Sequence, residues 1–434
     1  MNDAGTAHFN IPNLLFDNRT PHAAIQFDMV DQFGEAFHVV VARMGYTLGP
    51  CGADGVASLL PMARQSPLAT EDRHLHDDTQ AGTVQESDFA PYKPRCDVIV
   101  NGVAHAPRGQ AMPQFLVNLK VQSKKKTLID KTLQVCGERA FRKKSILTRL
   151  AQGCARVATA GLLRPNPWHL STPEPFLQLP LHYAYSYGGQ CRIEADDCTA
   201  AQHDSCQANP LGRGFVRHWY LDAKQINEVP APRITDASLP CTAVQFWQGA
   251  GGKELPAPAG LAVIGRGWLP RRALAGSIAV KDQWDADEIP TLPEDFDFAY
   301  WNSTPPDQQC PHLAGLEQFT LTNLCRHDHP SARIDPRGNT VLRFALPQQV
   351  LCLLLADKND QLLVWRLAID TVLIEPEAAS VELVWRAIVP ADVGQVASRL
   401  LHVMEPAQIA RIELLEQAQE ALGKAAGQGK DDDE

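Results

Sequence analysis

Three groups of side chains in this sequence have types and spacings suited to chemistry. The first lies in residues 292–309, where Asp295 and Asp297 sit two apart among Phe296, Phe298, Tyr300 and Trp301, followed by Asn302 and by Pro305-Pro306-Asp307-Gln308. On an extended chain the two carboxylates share a face, as a general acid/base pair or a hard-metal site requires. The same residues also suit a structured loop. The aromatics are then buried beneath it, and Asp, Asn and Gln hold backbone donors left unpaired around the prolines. The loop reading is preferred, because a catalytic pair needs a partner base, an oxyanion hole or a metal shell, and the sequence places none beside it.

The second group is thiol and imidazole: Cys191, Cys198, His203 and Cys206, then Cys310-Pro311-His312, then Cys325-Arg326-His327-Asp328-His329. Zinc accepts such ligands, but structural zinc sites carry paired C-x₂₋₄-C knuckles, and none is present. These side chains are read as incidental, with no metal and no cofactor expected. G-x-S-x-G, H-E-x-x-H, Walker and C-x-x-C motifs are missing too, so no catalytic residue is assigned. Residues 209–215, Asn-Pro-Leu-Gly-Arg-Gly-Phe, lack the Lys-Ser/Thr of a phosphate loop. They read as a tight glycine turn in which Arg213 anchors carbonyls or carboxylates.

The third group is basic. Ten Lys or Arg fall between Lys120 and Arg149, against Asp130 and Glu138. An acidic partner is one use of them; a solvated hairpin tip and an edge strand kept soluble by lysine is the plainer one. Only Phe141 lies within the run, which is a poor stacking platform for nucleic acid.

The elements that must position these residues read as mainly β. With 434 residues, 44% hydrophobic and 21% charged, the chain has the composition of a folded protein. Its 29 Gly and 32 Pro favour strands joined by turns over a helical bundle. The formal charge of −10 argues against a general nucleic-acid or anionic-membrane binder. Eleven cysteines without a repeated spacing suggest reduced thiols, and the polar first ten residues show no secretion signal, so a cytoplasmic protein is expected.

Residues 24–44 predict a hairpin around Asp31-Gln32-Phe33-Gly34-Glu35. Residues 58–80 read as a polar loop or insertion. Residues 96–100 predict a strand, followed by the turn pair Asn101-Gly102. Phe115, Val117, Leu119 and Val121 alternate on one strand face, and residues 132–136 pair with it. Several strands follow between 315 and 389. In the last, Val381, Leu383, Trp385, Ala387 and Val389 point one way. Beyond Pro390, Val393, Val396, Leu400 and Val403 fit one helix. Ile409, Ile412, Leu415 and Leu422 fit a second, before an acidic tail. The expected architecture is an antiparallel, sandwich-like β body with long turn-rich connections and a C-terminal helical segment. It divides into residues 1–137 (β), 138–310 (turn-rich), 311–390 (β, packing with the first) and 391–434 (helix and tail).

Several segments together also carry a family likeness. They are Pro180-Leu181-His182-Tyr183 with Tyr187-Gly188-Gly189; Asn209-Pro210-Leu211-Gly212-Arg213-Gly214-Phe215; and Leu269-Pro270-Arg271-Arg272 with Ala275-Gly276 and Trp284. Residues 292–297, Asn302 with Pro305-Pro306-Asp307-Gln308, Asp370-Thr371-Val372 and Val384-Trp385-Arg386 continue the series. In order and spacing, over roughly residues 18–390, they resemble a bacterial domain-of-unknown-function family of type VI secretion effector adaptors or chaperones, distinct from the Tap and Eag families. The resemblance implies a non-enzymatic protein whose partners are a cognate secreted effector and a VgrG-type spike. Structural or binding roles, not catalytic ones, are expected for Tyr187, Gly188, Gly189, Asn209, Gly212, Arg213, Asp295, Asp297, Trp301, Asn302, Asp307, Gln308, Trp385 and Arg386. The alternatives are a hydrolase built on Asp295 and Asp297, and a carbohydrate-binding β module with Tyr300 and Trp301 as sugar platforms.

Overall fold

The computed structural model describes residues 14–78, 81–145, 166–193, 203–253, 256–277, 291–357, 362–391 and 395–428. The protein is mostly β, as the alternation predicts. One large curled sheet forms the body, and a four-stranded sheet is packed into the same core.

The curled sheet starts at the short strand Ile234–Asp236. It continues through the hairpin Thr127–Cys136 and Gln114–Gln122, and then through Gln318–Thr322 and Thr340–Ala345. A single parallel pairing, Phe344 opposite Ala57, joins this half to Ala57–Pro61 and the 16-residue strand Ala36–Cys51. From there the order runs through Ser380–Pro390, Ala368–Glu375 and Cys96–Val100 to Gln309–Cys310. The curl brings this far end back towards Thr127–Cys136. There the Lys131 ammonium reaches Asp307 Oδ1 at 2.8 Å and Gln308 Oε1 at 3.2 Å. Lys131 is therefore no solubilising edge lysine; it is buried and staples the seam. Lys124, Lys125 and Lys126 do lie exposed at the hairpin tip, as expected.

Period-two alternation sorts the curled sheet into two faces. Val40, Ala42, Met44, Val98, Val117, Leu119, Phe344, Leu383 and Trp385 point inward to one apolar core. Leu351, Leu353, Leu355 and Leu400 of the four-stranded sheet enter the same core. A second, smaller core in the central region packs Phe246 against Phe141, ring centroids 4.1 Å apart, with Trp168, Tyr187 and Phe215 around them. Phe246 is brought there by the helix Ala243–Ala250, whose start is fixed by a capping box between Thr242 and Gln245.

Several expectations need correction. The residues 395–403 do not form a helix: Gln395–Val403 is a strand, paired on one side with Leu15–Asn18 and on the other with Val350–Asp357. A short apolar segment satisfies either period, and here two flanking strands supply the hydrogen bonds that decide it. Val393 lies outside the described residues. The helix after Glu405 does form, as Pro406–Gln428, with proline in its first turn. It lies on the four-stranded sheet through Ile409 and Ile412, while Leu415 is turned outward. Arg366 meets Glu413 and Glu416 on that side. Asn101-Gly102 is a turn between sheets, not a hairpin. Cys96–Val100 pairs in the curled sheet, and Val103–His105 pairs with Gln178–Pro180. Residues 57–61, read in part as loop, add a strand to Ala36–Cys51.

Candidate functional site

The outward face of the curled sheet mixes apolar and ionic side chains. Arg43 on Ala36–Cys51, Glu382 and Arg386 on Ser380–Pro390 and Asp97 on Cys96–Val100 face away from the core, and beside them Ile99 and Leu373 pack on Val263. Residues 65–78, 81–90, 261–277 and 291–309 cross this face and cover these ionic groups. Arg43 pairs with Asp88 at 2.9 Å and with Glu382, and Glu382 also accepts from Ser66. Arg386 pairs with Asp370 and donates to the carbonyls of Asp88 and Ala90. Arg271 makes a two-armed contact with Glu86, at 2.6 and 2.7 Å, and donates to the carbonyls of Ile264 and Tyr300. Four cations (Arg43, Lys93, Arg271, Arg386) thus interleave with five carboxylates (Glu86, Asp88, Asp97, Asp370, Glu382).

Asp97 is the centre of this lattice and is fully buried. Its Oδ2 accepts from Lys93 Nζ at 3.0 Å and from Ser303 N and Oγ. Its Oδ1 accepts from Thr304 N and, at 2.7 Å, from Thr304 Oγ1. Burial opposes its charge, yet the Lys93 ammonium and the Ser303 and Thr304 donors outweigh it and hold the carboxyl below its usual value. For Lys93, burial likewise acts against the charge, and Asp97 and Asp370 overcome it, so the ammonium is raised. Two oxygens that accept five donors have no lone pair left for proton transfer to a substrate. The adjoining cavity of about 10 Å³ has room for one water at most. What this arrangement can do is fix the crossing segments to the sheet.

The sequence-derived residues divide into three places. Asn302, Asp307, Gln308 and Arg386 belong to the lattice and the seam. Asn302 Nδ2 donates to Arg95 O, and Gln308 Nε2 donates to Val98 O and Leu261 O, each at 2.6 Å. Trp385, next to Arg386, points the other way into the apolar core. Asp295 and Asp297 lie around the turn that carries Arg271. Asp295 accepts from Ser277 N and Asp297 from Ala299 N, capping the short 3₁₀ turn Phe298–Trp301. Both carboxylates hold backbone donors, as the loop reading requires. Phe296 is buried and packs edge-on with Phe298 and Tyr300, while Arg271 lies over the Tyr300 ring and Arg266 over Trp301. One face of each candidate sugar platform is therefore already occupied.

The third place is a backbone knot. Tyr187-Gly188 pairs in parallel with Arg213-Gly214, and buried Asn209 donates to the carbonyls of Tyr183 and Tyr187. Gly188 has φ 153°, and a Cβ there would stand 2.1 Å from Asn209 O, so no side chain fits. Gly189 N donates to Asn209 O, and Gly212 packs directly on Gly188. Arg213 does anchor a carbonyl and a carboxylate, Ala184 O and Glu138, and it lies over the Tyr185 ring.

Cys191 and Cys206 are buried, and burial lifts both thiols. Cys198 lies outside the described residues. Among the described residues no group of three or more His, Cys, Asp or Glu is placed to hold a metal ion. Among the described residues no helix is long and apolar enough to cross a membrane.

Sequence reasoning missed Arg43, Glu86, Asp88, Lys93, Asp97 and Glu382. One signal was present: Asp97 interrupts an otherwise apolar strand, Cys96-Asp97-Val98-Ile99-Val100, and a carboxylate so placed requires partners. Arg271, Asp370, Thr371, Asn302 and Arg386, segments apart in sequence, converge here; Thr371 Oγ1 accepts from Lys93. No curated protein and no solved structure matches the chain. A family model matches residues 34–386, spanning the lattice, the knot and the seam, so the chain belongs to the bacterial family described as "Uncharacterized protein conserved in bacteria (DUF2169)".

Proposed function

We propose that the protein is a cytoplasmic, non-catalytic adaptor of type VI secretion: it binds a cognate effector and helps place it on a VgrG-type spike by protein–protein contact. The observation that carries this reading is the fate of the residues with most chemical character. Asp97 is buried and paired with Lys93, Arg271 with Glu86, and Asp370 with Arg386, and Asp295 and Asp297 hold backbone amides. A chain that spends its ionic side chains on fixing long irregular segments to a sheet presents those segments as a preformed surface. A preformed surface binds with less ordering cost. A stable hand-over complex needs an interface of about 1,000 Å² or more.

The test is reconstitution. The full chain is co-expressed with a candidate toxin and a VgrG-type spike from the same bacterium, and the mixture is resolved by size-exclusion chromatography with light scattering. A complex of the chain with both supports the reading. Failure to bind either partner overturns it, as does turnover of a glycan or phosphoester that is abolished by Asp295→Asn or Asp297→Asn in a chain that remains folded.

A further inference from the structure

A concave surface rich in apolar atoms lies away from the lattice, on the seam half of the curled sheet. Its floor is the outward face of Gln114–Gln122 and its neighbours, where Leu116 stands 52% exposed two residues before Asn118, whose cross-strand partner is Thr322. Its rim is formed by two turns in contact with each other, 107–112, carrying Arg108 and the half-exposed Met112, and 335–339, carrying Arg337. The space beside them is about 680 Å³.

Charge sets this groove apart. In a chain of net charge −10, its lining holds two arginines and, among the described residues, no carboxylate. Neither Arg108 nor Arg337 forms an ion pair there, and both are exposed. The nearest acid of the second turn, Asp335, has its carboxylate engaged by the amides of Arg337 and Asn339 and by the Asn339 side chain. The backbone adds a second, independent observation. Arg108 is a non-glycine residue at φ 58°, held there by its amide to Gly338 O. Its stem lies so close over Gly338 that a Cβ on that glycine would stand 2.3 Å from Arg108 Cγ. Left-handed backbone at an arginine persists only where its surroundings impose it, and such positions concentrate at ligand clamps.

We infer that this groove is a docking site for an extended segment of a partner protein, in which carboxylates lie close to an apolar side chain. The apolar group rests on Leu116 and Met112, and the carboxylates meet Arg108 and Arg337, whose planar forks suit bidentate contact. The partner is the effector or the spike, so the inference rests on the adaptor reading and adds to it the place and chemistry of contact.

The probe is a fluorescent pool of short peptides with Asp or Glu flanking Leu or Phe, titrated by anisotropy against the full chain. A matched pool with Asn and Gln in place of the acids is the control. Preference for the acidic pool, weakened about tenfold or more by R108E/R337E and by raised salt, is expected. A lysine-flanked pool should then bind the R108E/R337E variant better than the parent. L116D, an exposed substitution, should cut binding without lowering the melting temperature. Equal binding of both pools, unchanged binding by R108E/R337E, no binding at all, or displacement by oligonucleotide in place of acidic peptide overturns the groove assignment. Reconstitution with effector and spike separates the two claims: a complex unaffected by R108E/R337E leaves the adaptor standing and removes the groove, whereas no complex with the parent chain removes the adaptor.

Discussion

The two faces of one strand, Ser380–Pro390, are held by opposite physics. Leu383, Trp385 and Ala387 enter the dry core, where shape and area do the work and the Trp385 indole N–H has no partner among the described residues. Glu382 and Arg386, one residue along, enter a lattice in which charges are paired and carbonyls are claimed. The apolar face tolerates inexact neighbours, since dispersion and area are non-directional. The ionic face does not, because each buried charge depends on partners at hydrogen-bond distance. The lattice therefore specifies where residues 65–78, 81–90, 261–277 and 291–309 lie against the sheet.

The comparison breaks most sharply at Asp97. Asp97→Ala leaves Lys93 buried without its main counter-charge and strands the Ser303 and Thr304 donors. Removal of one partner from a buried pair costs about 3–5 kcal/mol. Urea denaturation should show a loss at the top of that range. Leu383→Val, a shape change on the opposite face, should lose only about 1 kcal/mol. Similar losses for the two would mean that the faces do not differ as described.

Arg386 and Asp370 sharpen the point. Arg386→Met and Asp370→Leu should each destabilise by about 3 kcal/mol or more, and the double variant by less than the two singles summed, because it leaves no lone buried charge. Strict additivity in a double-mutant cycle would show that the pair is not coupled through the lattice.

Acid separates two regions in a further way. His22 and His402 approach to 3.1 Å where the strand Gln395–Val403 meets the chain entering Ala23–Val30. Burial, and then the neighbouring His22, push His402 down to about 4, and burial also lowers His22. An imidazole depressed in the folded state binds more protons when unfolded, so stability falls as pH drops from 6.5 towards 4. Asp97 has the same sign but a later window: its contribution is complete above 3.8 and fades only below it. Melting temperatures should thus begin to fall near pH 6, and His402→Gln should flatten that first decline while leaving the one below pH 4.

Much of the framework was legible because it is local. The 24–44 hairpin carries its own turn, with Asp31 accepting from Phe33 N and Glu35 N, and the alternation at 115–121 and 381–389 marks its faces. The lattice was not, because its partners are remote: Arg43 meets Glu382 across 339 positions, and Arg271 meets Glu86 across 185. Alternation says that Arg386 leaves the core; it cannot say that a loop will cover it. Residues 395–403 failed for a related reason, since their strand depends on pairing with residues 15–18 and 350–357. The Asp-Phe-Asp loop was understood from its prolines and aromatics, because the demand for backbone partners is local.

The smallest effect belongs to the groove, where geometry is held at a cost to stability. Arg108 adopts φ 58°, a region that costs a non-glycine residue about 1–2 kcal/mol and a glycine almost nothing. Arg108→Gly relieves that strain but enlarges the unfolded ensemble by a comparable amount, so net stability should change by no more than about 1 kcal/mol. Its guanidinium is exposed and has no ion pair among the described residues, so there is no lattice energy to lose. A stability loss on the scale of Asp97→Ala would mean that Arg108 belongs to the scaffold after all. Near-neutral stability with weakened acidic-peptide binding would place it on the working surface, the converse of Asp97.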